Sequence, residues 1–203
     1  MKKTRKGFSQ IKCVFLDRDG VINRKPPEGE YVGRWSDFHL LHGAEEAIAR
    51  LNASGRRVIV VTNQRGVSLG LYSESDVRSV HAELQRHLAA HSAHIDAFYY
   101  CPHDKDQCSC RKPGIGLFIE AFHDFPGASS ETSILIGDSV SDIQAARRLG
   151  MPSIFISGDP ETRKEGQSEA QSMADAVADS LLQAVNLYLF EEVQAADPSL
   201  PEG

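Results

Sequence analysis

Short apolar runs alternate with amphipathic stretches along this chain. Ile11 to Leu16 is rich in β-branched and aromatic residues and ends abruptly in charge at Asp17, which predicts a strand. Val58-Ile59-Val60-Val61, Ile95 to Tyr100, Thr132 to Ile136 and Ser153 to Ile156 predict four more, and Ala176-Val177 a short edge strand. Helical spacing appears between them. Residues 43–52 place Ala44, Ala47, Ile48 and Leu51 on one side, with Gly55 as the stop. Residues 74–92 follow Ser73 as a cap and carry Val77, Val80, Leu84 and Leu88 on one face. Shorter helices are predicted over 116–125, behind Asp138 as far as Leu149, and from Leu181 to Val193. Such alternation argues an α/β fold with a parallel sheet.

Two polar stretches interrupt the pattern. Residues 21–42, with Pro26-Pro27, are too long for a routine turn and predict a flap beside a cleft. Residues 157–172 predict a mobile loop. The whole of 1–203 reads as one domain, with a core over 11–158, a loop and C-terminal helix over 159–195, and a disordered tail over 196–203.

Composition narrows the classes. The chain has 203 residues, is 41% hydrophobic and 25% charged, and carries a net charge of −6, so it has no global nucleic-acid footprint. No apolar run approaches the roughly 20 residues of a membrane span. The basic start is followed by Lys12, Asp17 and Asp19 rather than by an uninterrupted apolar run, so no secretory signal is expected. A cytoplasmic location, a small phosphorylated metabolite as partner, and a monomer are the expectations, with no nucleic acid or membrane involved. Thiols stay reduced in such a compartment, so the four cysteines are not read as disulfides.

The candidate chemistry lies at the strand ends. Asp17-Arg18-Asp19-Gly20 follows the first strand, Thr62-Asn63 ends the second and Asp138 follows the fourth. Side chains at the carboxyl ends of parallel strands can enter one crevice however far apart they lie in sequence. Carboxylates gathered there repel unless protonated or bridged by a cation, and all-oxygen ligands favour Mg2+. Lys112 adds a positive charge suited to phosphoryl oxygens. Cys101-Pro102-His103 and Cys108-Ser109-Cys110 form a separate group. Three thiolates and one imidazole make the closed donor set of a structural Zn2+ site. Such a metal would staple a loop with no core of its own and steady Arg111 and Lys112 beside the crevice.

Taken in this order, the four signatures resemble those of the haloacid-dehalogenase superfamily of phosphatases over about residues 11–158. The resemblance implies a three-layer Rossmann-like sandwich with a mainly parallel central sheet, no large cap domain and a zinc-stapled loop. It implies Asp17 as nucleophile and Asp19 as acid and base, the latter suited by a raised pKa. It further implies Mg2+ held by Asp17, the Asp19 carbonyl and Asp138, and a phosphoryl grip by Thr62 and Lys112. Asn63 would contribute its backbone N–H. Asp142, four residues after Asp138, is either an orienting group or a solvated helix acid.

The zinc loop resembles the branch that contains heptose bisphosphate and histidinol-phosphate phosphatases. Thr62-Asn63-Gln64-Arg65 and Tyr31-Val32 resemble the heptose enzymes more, whereas the short zinc loop is closer to the histidinol-phosphate type. This implies substrate contacts at Gln64, Arg65 and Arg111, and in the flap at Glu28, Gly29, Glu30 and Tyr31. Arg65 is as readily read as a solvated loop residue. Different-class readings are a phosphoacceptor module, against which the Asp-x-Asp on one strand and the zinc loop argue, and a catalytically silent zinc-stapled module, against which the intact set Asp17, Asp19, Thr62, Lys112 and Asp138 argues. His87, His91 and His94 share a helix face or its end with no cysteine or cluster of acids nearby, and read as a solvated face.

Overall fold

A computed structural model describes Phe8 and residues 10–27, 29–158 and 166–190 of the chain. Six strands form one sheet: β1 (Cys13–Leu16), β2 (Arg57–Asn63), β3 (Ala97–Cys101), β4 (Ser133–Gly137), β5 (Ser153–Ile156) and β6 (Ala176–Ala178). Their order is β3-β2-β1-β4-β5-β6, and every neighbouring pair is parallel. β1 lies between β2 and β4, with Leu16 opposite both Val60 and Ile136. The ends of β1, β2 and β4 are therefore side by side, and the strand order reverses beside β1, where a crevice opens in such sheets.

The strand residues are apolar on both sides because helices cover both faces. Val14, Leu16, Val58, Val60, Ile134 and Ile136 point into one core, with α1 (Ala44–Ala53), α2 (Glu74–Ala89) and α6 (Leu181–Ala184) against them. The alternate residues Cys13, Phe15, Ile59, Val61 and Leu135 face α3 (Gly116–Asp124) and α4 (Val140–Leu149). This is the three-layer sandwich expected. Among the described residues, the connections from β1 to β2 and from β2 to β3 hold only a 3-10 turn at Trp35–Asp37, α1 and α2, so no large cap is inserted.

Ser73 caps α2 in a reciprocal box with Asp76, as its sequence indicates. Two expectations need correction. Residues 157–172 are not all loop, because α5 (Gln167–Met173) runs through the polar stretch. Its one buried residue, Ala170, packs with Ile143 and Phe155, too narrow an apolar stripe to register as periodicity. The stretch over 21–42 keeps its expected place as a flap, and it is anchored through Val21, Ile22, Val32 and Phe38, which are buried. The last helix is α-helical only over Leu181–Ala184 and continues as a π-helix over Val185–Phe190. Its expected end at Val193 and the tail over 196–203 lie outside the described residues.

Candidate active site

The carboxyl ends of β1, β2 and β4 deliver Asp17, Thr62 and Asp138 to one cleft of about 420 Å³, whose wall also holds Asp19, Asn63, Arg65, Arg111 and Lys112. Gly29, Glu30 and Tyr31 of the flap line it as well. Glu28 lies outside the described residues.

Asp17 and Lys112 occupy the floor. Lys112 is buried, yet its ammonium has a full set of acceptors: Asp17 Oδ1 at 2.9 Å, Asp142 Oδ1 at 2.6 Å and the Val61 carbonyl at 2.7 Å. Burial alone would discharge this lysine; the two carboxylates outweigh that effect and hold its pKa above the ordinary value. Asp142 is fully buried in the first turn of α4. Its second oxygen accepts from the Ser139 N–H at 3.1 Å and the Ser139 hydroxyl at 2.5 Å. It is therefore not a solvated acid: it bridges Lys112 and Ser139. The side chain of Asn63 donates to the Lys112 carbonyl at 3.1 Å and accepts from the Lys112 N–H at 3.0 Å, fixing the lysine's backbone.

The two acids after β1 have opposite environments. Burial pushes Asp17 up to about 7, with Asp142, Asp138 and Asp19 adding to the effect of burial and Lys112 opposing it. Asp19 is held below the ordinary range although burial works the other way. Arg18 is the cause: it is fully buried and meets both Asp19 oxygens at 3.1 Å. Asn23 and Gln64 add hydrogen bonds to Asp19 at 2.9 and 3.2 Å. The raised pKa expected for Asp19 is thus overturned, because its neighbour in sequence turns inward and becomes its counter-ion.

Gln64 does not join the cleft wall. It is buried behind it, where it donates to Asp19 and Thr62 and accepts from Arg18 and Tyr72. Arg65 does face the cleft and is braced by Asp104 at 2.5 and 3.2 Å, so it is no free loop arginine. The sequence reading missed two residues. Arg18 sits inside the Asp-x-Asp-Gly motif at a position with no evident chemistry. Lys25, in the flap, brings its ammonium onto Asp138 Oδ2; only a long-range contact could have pointed to it.

Asp138 Oδ1 is buried without a partner, and carboxylate oxygens of Asp17, Asp138 and Asp142 lie within 4.8 Å of one another. A hard divalent cation fits that orphaned oxygen together with Asp17; Asp142 is already committed to Lys112. Gly20 makes the close approach possible, since at φ +93° a Cβ there would lie 2.2 Å from Asp138 Oδ2. The cysteine loop is also assembled. Cys108 Sγ is 3.4 Å from Cys101 Sγ and 3.1 Å from Cys110 Sγ, and His103 Nδ1 is 3.6 and 3.4 Å from Cys101 and Cys110. A tetrahedral zinc–thiolate site has edges of about 3.8 Å, so slight expansion would admit the ion. Arg111 donates to the His103 carbonyl at 3.4 Å, which ties the loop to the cleft.

Known proteins resemble most of this chain. A family model described as "HAD-hyrolase-like" matches residues 109–184. The chain is 45% identical over 138 residues to the D-glycero-alpha-D-manno-heptose-1,7-bisphosphate 7-phosphatase of Mycobacterium tuberculosis, covering 68% of this chain and 72% of the relative. It is 35% identical over 162 residues to the D-glycero-beta-D-manno-heptose-1,7-bisphosphate 7-phosphatase of Vibrio cholerae, covering 75% and 85%. The crystal structure of D,D-heptose 1,7-bisphosphate phosphatase from B. bronchiseptica, complexed with magnesium and phosphate, superposes with a TM-score of 0.73. That match has 28% identity and covers 87% of this chain and 97% of the other. No helix among the described residues is long and apolar enough to cross a membrane. With a strand-end carboxylate pair, a buried lysine and relatives of this identity, the chain belongs to the haloacid-dehalogenase-like phosphatases.

Proposed function

We propose that this phosphatase removes the 7-phosphate of D-glycero-D-manno-heptose 1,7-bisphosphate through an aspartyl-phosphate on Asp17. One observation carries the reading: the cleft with Asp17 and Lys112 at its floor has Arg65 and Arg111 in its wall. A sugar anchored at Asp17 by one phosphoryl group would meet guanidinium groups with the other, and guanidinium suits bidentate contact with phosphate. The names of the relatives point to the same substrate class.

In the first step an Asp17 oxygen attacks phosphorus in line, the bond to the sugar oxygen breaks, and Asp19 protonates that oxygen. Water then attacks the phosphoryl group and gives its proton to Asp19. Inorganic phosphate leaves and the Asp17 carboxylate is restored. Lys112 and the Thr62 hydroxyl would hold the equatorial oxygens, where charge is spread in the transition state. The cycle starts with Asp19 protonated: it takes a proton from solvent as it gives up part of its Arg18 and Gln64 bonding, passes that proton to the leaving oxygen, and regains one from the attacking water, a second step that Arg18 helps by favouring the carboxylate. Mg2+ held by Asp17, Asp138 and the Asp19 carbonyl would offset the negative charge of carboxylate and phosphoryl oxygens as they approach. Zn2+ on Cys101, His103, Cys108 and Cys110 would be structural and would hold Arg111 in place.

Phosphate release measured at steady state with the α and β anomers of heptose 1,7-bisphosphate and with histidinol phosphate tests the proposal. A higher kcat/KM for one heptose anomer is expected. A preference for histidinol phosphate would overturn the substrate assignment and leave the phosphatase chemistry standing.

A further inference from the structure

His87 and His91 lie one turn apart at the end of α2, with their rings stacked at 4.7 Å between centroids. Read along the sequence they lie beside no cysteine and no cluster of acids. The fold supplies an acid, because Glu45 in the first turn of α1 places Oε1 3.1 Å from His87 Nε2. Ligand atoms from Glu45, His87 and His91 all lie within 4.8 Å of one another. We propose that these three side chains form a second, surface metal site for a borderline divalent ion of the Zn2+ type, separate from the catalytic cleft.

The donor set points to that class of ion. Two imidazoles and one carboxylate suit zinc, nickel or copper, whereas magnesium prefers the all-oxygen surroundings of Asp17 and Asp138. The orientation of His91 is the second argument. Its Nδ1 lies 3.0 Å from the His87 carbonyl oxygen. A carbonyl only accepts, so Nδ1 carries the ring proton and Nε2 presents a lone pair. Metal-ligating histidines are set by this kind of bond from the other ring nitrogen to a backbone carbonyl. Trp35 packs against His87 at 6.0 Å and limits the swing of the first ring.

Charge favours the same place. The site lies at the carboxyl end of α2, where the helix dipole attracts cations. Glu45 is ionised there: burial raises its pKa, but its own backbone N–H and His87 together hold it below the ordinary range. A bound ion would take the place of the contact between His87 Nε2 and Glu45 Oε1, with the ring proton of His87 carried on Nδ1. His91 is exposed, and His87 and Glu45 are half-buried, so remaining coordination positions are open to water. The result is a cross-link between the start of α1 and the end of α2.

Titration of the purified protein with ZnCl2, followed by calorimetry and by ¹⁵N resonances of the imidazoles, tests this. Wild type should take up one equivalent more than His91→Ala, a change at an exposed position. The Nε2 resonances of His87 and His91 should shift on that uptake, and His94→Ala should keep the extra equivalent. Equal uptake by wild type and His91→Ala, or uptake that leaves both resonances unmoved, would overturn the proposal. Because the difference is taken between variants with the same cysteine loop, it is independent of how much zinc that loop holds at the start.

Discussion

Lys112 Nζ lies 2.6 Å from Asp142 Oδ1, an ion pair in which neither side chain is more than 2% exposed. The pair joins the segment after the zinc loop to the start of α4, and Asp17 closes it into a triad. Removing one partner of such a pair leaves a buried charge without compensation, at a cost of about 3–5 kcal/mol. Lys112→Met should therefore lower stability to urea by about that amount. It should also lower kcat by about 100-fold or more, through loss of a preorganised cation at the phosphoryl group. Lys112→Met with unchanged stability would mean that the triad is not formed.

The cysteine loop gives a metal-removal prediction. Protein stripped by a chelator and resupplied with Mg2+ alone should stay depleted in activity, because Arg111 and Lys112 follow directly on Cys110. Its Tm should lie about 5 °C or more below that of the untreated protein, and Zn2+ should restore both. Thermal unfolding and phosphate release on the same samples check this. Full recovery with Mg2+ alone would exclude a structural role for the loop metal.

A pH prediction follows from His81, which is 5% exposed, stacks on Phe98 at 4.4 Å and has Nε2 3.5 Å from Arg18 Nη1. Burial first and the Arg18 charge second push its pKa from 6.5 down to about 3. As pH falls through that window the unfolded chain binds a proton that the folded chain refuses, so stability falls with pH. The slope is about 1.4 kcal/mol per pH unit, or about 2 kcal/mol between neutrality and pH 5. His81→Gln should flatten the fall seen in urea unfolding between pH 7 and pH 5 by that amount. The depressed pKa of Asp19 works in the same direction but is present in both proteins, so the difference isolates His81.

Much of the site was legible because its groups stand where apolar runs stop. Asp17, Thr62 and Asp138 each end or follow a buried strand, and the parallel order brings those ends together. The cysteine set was legible because all four donors lie within ten residues. Partners separated by long stretches of chain were not. Arg18 looks like a loop cation until Gln64 and His81 are seen around it, and Lys25 reaches Asp138 across 113 positions. Glu45 meets His87 across 42 positions. Helix α5 escaped notice because a single buried alanine anchors it.

The account rests most heavily on Asp17 as the group that takes the phosphoryl. Release of inorganic phosphate from heptose 1,7-bisphosphate by wild type and Asp17→Asn, each with and without Mg2+, tests that most directly. Wild type should release phosphate only with Mg2+, and Asp17→Asn should show no release under either condition while remaining folded. Release at the wild-type rate by Asp17→Asn would contradict the account.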